Sequence, residues 1–184
     1  MIIRLALVDD IEAILQLQEK YHVSNLTEAE KQQKGFVTMR ITPEQLTQLI
    51  DDACVFIATS DDDLAAYTLT GTWDFDRQWA IIQRMELFLP TLNLENATIT
   101  VENSIQYGPV CIDEAYRGHD ILTLLFDAVE NHYRSKYAYI VTFINQINER
   151  SLRAHAKKTP LSIIGTFDFN DNQYYALASK IGNH

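Results

Sequence analysis

Apolar and polar positions along this chain follow two rhythms, one close to the helical period and one close to the strand period, and the switches between them mark its elements. Ile2 to Leu7 is a short apolar run with one arginine inset. Behind it Asp9 and Glu12 bracket a helix start, and Ile11, Ile14, Leu15, Gln18 and Tyr21 recur at helical spacing, which predicts a strand and then a helix. From Val23 to Arg40 the chain is polar, with a charged stretch from Glu28 to Lys34 broken by Gly35. That pattern reads as a weak helix or a mobile loop, of a length that suits a lid over a site. Thr42-Pro43-Glu44-Gln45 joins a capping hydroxyl, a proline at the first helical position and a glutamine at the third, and predicts a short helix to about Asp51.

Ala53 to Thr59 and Leu64 to Thr70 are β-rich runs separated by Ser60-Asp61-Asp62-Asp63, the pattern of an antiparallel hairpin. Trp79, Ile82, Met85, Glu86 and Leu89 recur at near-helical intervals between Trp73 and Pro90, which predicts an inserted helix stopped by the proline. Thr91 to Gln106 reads two ways, as a strand around Thr98-Ile99-Thr100-Val101 or as an asparagine-rich loop. Tyr107 to Asp113 reads as a strand, and Asp120 to Arg134 as an amphipathic helix turning Ile121, Leu124, Leu125, Ala128 and Val129 inward. Tyr137 to Ile144 is almost continuously apolar, as a strand covered on both faces would be. A helix from Asn148 to Lys158 ends at Thr159-Pro160, and Ser162 to Phe169 pairs through Asn170-Asp171-Asn172 with Gln173 to Ser179 as a closing hairpin.

This order predicts the α/β class: one mixed, mostly antiparallel sheet with helices on both faces. It fills a single domain over 1–184, with an inserted helix and loop at about 74–106.

Composition changes this picture little. At 184 residues, 47% of them hydrophobic, the chain is long enough to bury a core without disulfides or a structural metal. Cys54 and Cys111 lie in apolar runs without a Cys-x-x-Cys or Cys/His cluster, so they read as core residues and no metal is expected. The N-terminus has no secretory pattern and no segment reaches membrane-spanning length, which makes the cytoplasm the expected location and a membrane partner unexpected. A net charge of −10 opposes nucleic-acid binding. The acidic surface would suit a cationic substrate such as an amine, or would simply keep the protein soluble.

The candidate chemistry lies where the strand Tyr107-Gly108-Pro109-Val110-Cys111-Ile112-Asp113 runs through Glu114-Ala115-Tyr116-Arg117-Gly118-His119-Asp120-Ile121-Leu122 into a helix. A tight loop feeding a helix N-terminus presents unpaired N–H groups and the positive end of the dipole, which suits an anion such as pyrophosphate. These residues resemble the cofactor motif of the GNAT N-acetyltransferase superfamily, a strand followed by Gln/Arg-x-x-Gly-x-Gly/Ala at a helix start. Arg117 takes the first position, and Asp120 and Leu122 stand where the family usually has glycine and glycine or alanine. Asp120 would bring a negative charge near the pyrophosphate, or cap the helix. Leu122 would add bulk where backbone approaches phosphate.

The resemblance implies a GNAT-like acyl-CoA N-acyltransferase fold with acetyl-CoA as acyl donor. It implies that Val110, Cys111 and Ile112 lend backbone groups to the pantetheine arm and thioester, and that Arg117, Gly118, His119, Asp120, Ile121 and Leu122 cradle the phosphates. A second segment, Asn148-Glu149-Arg150-Ser151-Leu152-Arg153-Ala154-His155, resembles the family's Asn-x-x-Ala/Ser helix start. It implies cofactor contacts from Asn148 and Ser151. Seven residues after the asparagine the family often carries a tyrosine that protonates the leaving thiolate. Here that position is His155, whose ordinary pKa of about 6.5 allows the same transfer. No general base stands out among Glu86, Glu102, Tyr174 and Tyr175.

The activity so implied is transfer of an acetyl group to a primary amine of a small molecule or peptide, and a homodimer is compatible with it. The alternative is a catalytically silent acyl-CoA-binding or protein-interaction module of the same fold. A third reading is transfer of a longer acyl chain.

Overall fold

The computed structural model describes residues 1–61 and 63–182. Its elements follow in the order β1 (Ile2–Leu5), α1 (Ile11–Tyr21), α2 (Glu28–Lys34), α3 (Pro43–Asp51), β2 (Val55–Ser60), β3 (Asp63–Gly71), α4 (Trp73–Asp76), α5 (Ala80–Phe88), β4 (Asn93–Leu94) and β5 (Ala97–Thr98). Then come β6 (Ser104–Ile112), α6 (Ile121–Tyr133), β7 (Tyr139–Asn145), α7 (Glu149–Lys158), β8 (Ser162–Phe169) and β9 (Asn172–Lys180). Seven strands hydrogen-bond in the order β1-β2-β3-β6-β7-β9-β8, with β6 and β7 parallel and the pairs β1-β2, β2-β3, β7-β9 and β8-β9 antiparallel. The fold is mixed α/β on a mostly antiparallel sheet. By internal contacts the chain divides into two compact units, Met1–Thr70 with Gly108–Val129, and Gly71–Tyr107 with Glu130–His184.

In the first unit, the predicted α3 forms with its full capping box: the Thr42 hydroxyl accepts from the Gln45 N–H, Pro43 stands at the helix start, and Leu46 and Leu49 face the core. Such a cap is worth about 1 kcal/mol. The hairpin of β2 and β3 forms as the β-rich runs predict. Within its turn Asp62 lies outside the described residues. The polar stretch after α1 contains a short helix, α2, held by a Thr27–Glu30 capping box and ended by Gly35 at φ 69°. It buries no residue. The excursion is closed at its base, where the Val23 N–H donates to the Val37 carbonyl and the Val37 N–H to the Tyr21 carbonyl, both at 2.9 Å.

The second unit corrects the reading of the insertion. The single helix expected between Trp73 and Pro90 is two, because the chain turns extended at Trp79 and the Trp79 N–H donates to the Asp76 carbonyl, closing the first helix after one turn. Ile82, Met85 and Leu89 still point inward as their spacing predicts, into a core with Trp73, Val141 and Phe167. The ambiguous segment resolves into a small hairpin, β4 with β5, and β6 begins at Ser104, earlier than its apolar pattern indicates. Ser104 fixes that start, since the buried Trp73 indole donates to its carbonyl at 3.2 Å and to its hydroxyl at 3.1 Å. The Tyr139 to Asn145 strand runs between β6 and β9, almost wholly buried. Among the described residues no helix is long and apolar enough to cross a membrane.

Candidate functional site

In the first unit, the end of β6 is held to β3 by the Asp113 N–H donating to the Ala65 carbonyl at 2.9 Å. The Asp113 carboxylate then accepts from the Ala115 N–H at 3.0 Å, starting a single tight turn, and from the Lys20 ammonium at 2.8 Å. Burial pushes the Asp113 carboxyl up, but Lys20, the Ala115 N–H and the charge of Arg117 outweigh it and hold the group below its ordinary value. It is a fixed anion that anchors the loop.

Arg117 turns its side chain inward. Its guanidinium donates to the Ile112 carbonyl at 3.2 Å from Nε and 3.1 Å from Nη2, and from Nη2 to the Lys34 carbonyl at 3.0 Å. It also lies over the Tyr21 ring, 5.2 Å from the centroid, while the Tyr21 hydroxyl accepts from the Glu114 N–H at 2.8 Å. Each bond from a charged donor contributes about 1.5–3 kcal/mol. The Nε and Nη2 groups of Arg117 are therefore committed to backbone carbonyls.

Beyond it, Gly118, His119 and Asp120 are exposed, while Ile121 and Leu122 are buried. Gly118 has φ 92°, and a side chain built there would meet nothing within 4 Å, so the loop stands open. Asp120 has φ 56° and its carbonyl accepts from the Leu124 N–H at 3.0 Å. It takes the place of the helix N-cap, yet in the left-handed conformation rather than the extended one an N-cap usually adopts. Aspartate enters that region more readily than most residues, so the loop keeps a backbone shape that glycine takes freely. Leu122 is 6% exposed, and the bulk that the sequence puts at this position points into the core. Cys111 is buried, with its thiol 3.8 Å from the Leu17 carbonyl and its pKa pushed up to about 12 by burial, so it is no thiolate nucleophile. Val110 and Ile112 flank it, half-buried, on the same strand.

In the second unit, Asn148 caps α7 as its type predicts, its side-chain oxygen accepting from the Ser151 N–H at 3.3 Å. One turn on, His155 is buried, with Nδ1 2.8 Å from the Ser151 carbonyl and 3.3 Å from the Ser151 hydroxyl. Its ring meets Tyr107 edge to face at 6.0 Å. Burial lowers its pKa, against the smaller opposing effect of the Ser151 carbonyl. Glu86 is held by Arg77 at 2.7 Å, which lowers its pKa and leaves it a poor base. Tyr174 stacks on Phe167 at 5.3 Å. No group of three or more metal-ligating side chains occurs among the described residues.

The structure thus gathers Val110, Cys111, Ile112 and Arg117 to Leu122 into one strand, loop and helix start, and places Asn148 and Ser151 at the start of α7 and His155 in its last turn. Sequence reasoning missed the partners that shape the loop: Lys20, Tyr21 and the carbonyl of Lys34. No local pattern announces them, because each lies more than eighty residues away along the chain.

No family model matches the sequence, and no curated protein sequence matches it either. Solved structures do. An N-acetyltransferase from Staphylococcus aureus Mu50 aligns at 18% identity over 98% of each chain, with a TM-score of 0.64. A ribosomal-protein-alanine N-acetyltransferase from Brucella melitensis aligns at 16% identity over 98% of this chain and 99% of its own, with a TM-score of 0.62. The yncA protein of Salmonella typhimurium, a candidate acetyltransferase seen with its cofactor acetyl-CoA, aligns at 12% identity over 100% of this chain and 95% of its own, with a TM-score of 0.64. The fold is that of the GNAT acetyltransferases. At these identities the likeness carries the fold alone. In this chain the loop leading into α6 carries an exposed Asp120, a buried Leu122 and an inward-turned Arg117.

Proposed function

We propose that this protein transfers an acetyl group from acetyl-CoA to a primary amine of a small molecule or peptide. The observation that carries the reading is the exposed loop from Gly118 to Asp120, left-handed at two residues and opening on the first turn of a thirteen-residue helix, in a chain of the GNAT fold. The residues fit a phosphate-bearing donor. The first N–H groups of α6 and its dipole favour an anion, nothing fills the space at Gly118, and Leu122 does not intrude. The backbone at Val110, Cys111 and Ile112 is assigned to the pantetheine arm and to polarising the thioester carbonyl, where aimed N–H groups are an effective device. Asn148 and Ser151 are assigned cofactor hydrogen bonds beyond their part in starting α7.

Acetyl-CoA supplies the thioester, and the protein's task is to orient it, to admit a neutral amine and to move one proton. His155 is the residue assigned that proton. Its Nδ1 is engaged with a carbonyl, so Nε2 is the atom that takes the proton released by the attacking amine and gives it to the departing thiolate sulfur. A new C–N bond replaces the C–S bond, and the imidazole ends the cycle as it began, neutral.

The test is release of free thiol from acetyl-CoA in the presence of a broad panel of polyamines, amino acids, aminoglycosides and peptide N-termini. At least one amine is expected to raise the rate well above hydrolysis. Silence across the panel with no heat of acetyl-CoA binding overturns the proposal. Binding without turnover supports the second reading, a silent acyl-CoA-binding module, which the exposed carboxylate of Asp120 at the helix start favours.

A further inference from the structure

Arg117 does something the loop motif alone does not require. Its Nε and Nη2 donate to the last carbonyl of the β6 strand, Ile112, and the same Nη2 donates to the last carbonyl of α2, Lys34, eighty-three residues earlier. The α2 helix has little else to hold it down. It spans seven residues, buries none of them, and is closed on itself by Thr27 and Glu30 at its start and by Gly35 at its end. Among the described residues its other tie to the loop is the Lys34 ammonium, 3.9 Å from Glu114 and shared with Glu30 at 3.3 Å, a partly exposed pair that contributes little. Arg117 is also the residue immediately before Gly118, so the backbone that a phosphate would fix and the side chain that grips α2 belong to the same few atoms of chain. A cation at a helix C-terminus is favoured by the dipole, and a planar guanidinium holds its donors in a fixed fork, so it grips two carbonyls with less loss of freedom than a rotating ammonium.

We propose that Arg117 is a positioning residue that straps α2 to the phosphate loop, so that a phosphate-bearing ligand seated on the loop orders the α2 segment. The inference rests on the acyl-CoA reading of the loop. Its consequence is an order of events: coenzyme A fixes Gly118 and the Arg117 main chain, the guanidinium is held on the Ile112 and Lys34 carbonyls, and the excursion from Val23 to Phe36 settles in place. The strap then makes α2 sensitive to a ligand it does not touch. Coupling of this kind is reciprocal, so an ordered α2 also favours the ligand-ready loop.

Amide hydrogen exchange on the full chain, with and without saturating coenzyme A, reads the coupling at the Lys31 and Gly35 N–H groups, which bond to the Thr27 and Lys31 carbonyls within α2. In the wild type coenzyme A is expected to slow their exchange about fivefold or more. In Arg117→Gln the same amides should exchange faster without ligand and should no longer respond to it, although calorimetry on the same samples shows them loaded. Arg117→Lys keeps the charge but loses the fixed planar fork, and its response should fall between the two. A simple structural role for Arg117 would raise α2 exchange by the same factor with and without coenzyme A, leaving the ligand response intact. That result, or a wild-type α2 indifferent to bound coenzyme A, overturns the strap while leaving the acyl-CoA reading standing. Absence of any binding heat in the wild type overturns the acyl-CoA reading itself, and the strap with it.

Discussion

The Nδ1 atom of His155 lies 2.8 Å from the carbonyl oxygen of Ser151, one turn back along α7. A carbonyl only accepts, so the ring proton sits on Nδ1 and the free lone pair on Nε2. Burial pulls the pKa of this histidine below its ordinary 6.5, against the smaller effect of that carbonyl. The folded protein therefore binds this proton less readily than the unfolded chain. The stability that follows is present above about pH 6.5 and is lost as pH falls through that value toward the lower native one.

His155→Gln removes the titration and the proton carrier together. Urea unfolding of the wild type should lose stability more steeply than the variant on acidification below about pH 6.5, and parallel slopes would contradict a buried neutral imidazole. In the acetyl-transfer assay kcat should fall about a hundredfold, with the KM for the amine little changed. A fall confined to KM would assign His155 to binding rather than proton transfer.

Asp120 stands exposed at the start of α6 with φ 56°, and it carries a charge of the wrong sign for a phosphate site. Asp120→Gly keeps the left-handed backbone and removes the charge. Asp120→Asn removes the charge and keeps the shape, since asparagine also tolerates that conformation. If repulsion of about 1 kcal/mol is at work, both should tighten coenzyme A binding about fivefold by calorimetry, and the gain should shrink as salt is raised. A gain in the glycine variant alone would point to backbone freedom, not charge.

Much of this fold was legible because its signals are local. The Thr42-Pro43-Glu44-Gln45 cap, the two hairpins and the apolar stripe of α6, except Leu124, which is exposed rather than inward, each follow from residues within one turn or one strand of each other. The helix beginning at Asn148 was legible for the same reason, and in the structure Asn148 caps it. What the sequence hid depends on tertiary contact. The insertion breaks at Trp79 because Asp76 is buried and its carbonyl is used there, and β6 starts at Ser104 because the Trp73 indole reaches it from thirty-one residues away. Within the candidate site the run of residues could be read, but not the direction of their side chains. Arg117 looks like a phosphate ligand in the sequence and proves to grip two carbonyls.

Gly71, at the end of β3, lies so close to Asp76 that a β-carbon added there would collide with both carboxylate oxygens. Gly71→Ala should therefore destabilise the protein by about 1–3 kcal/mol, the usual cost of overpacking. In an Asp76→Ala background the colliding atoms are gone, and most of that cost should vanish. Additive losses in the double variant, measured by urea unfolding, would show that the strain lies in the backbone of β3 instead.

Asp76 itself is 7% exposed, and its pKa is raised to about 7 by burial. Arg77, its neighbour in sequence, is turned to Glu86 and Asp74. The native protein keeps the proton up to about pH 7, whereas the unfolded chain releases it near the ordinary 3.8. The native state thus binds more protons across that interval, so stability is fully present below about pH 4 and is lost as pH rises through 7. At about 1.36 kcal/mol for each pH unit between the two values, the loss is roughly 4 kcal/mol at most. Asp76→Asn offers nearly the same shape as the protonated acid and does not titrate. The two proteins should unfold at similar urea concentrations at pH 4, and the variant should be the more stable by a few kcal/mol at pH 8. If the variant is no more stable at pH 8, the carboxylate has found a counter-charge or water in solution, and the neck of the insertion is more open than its burial indicates.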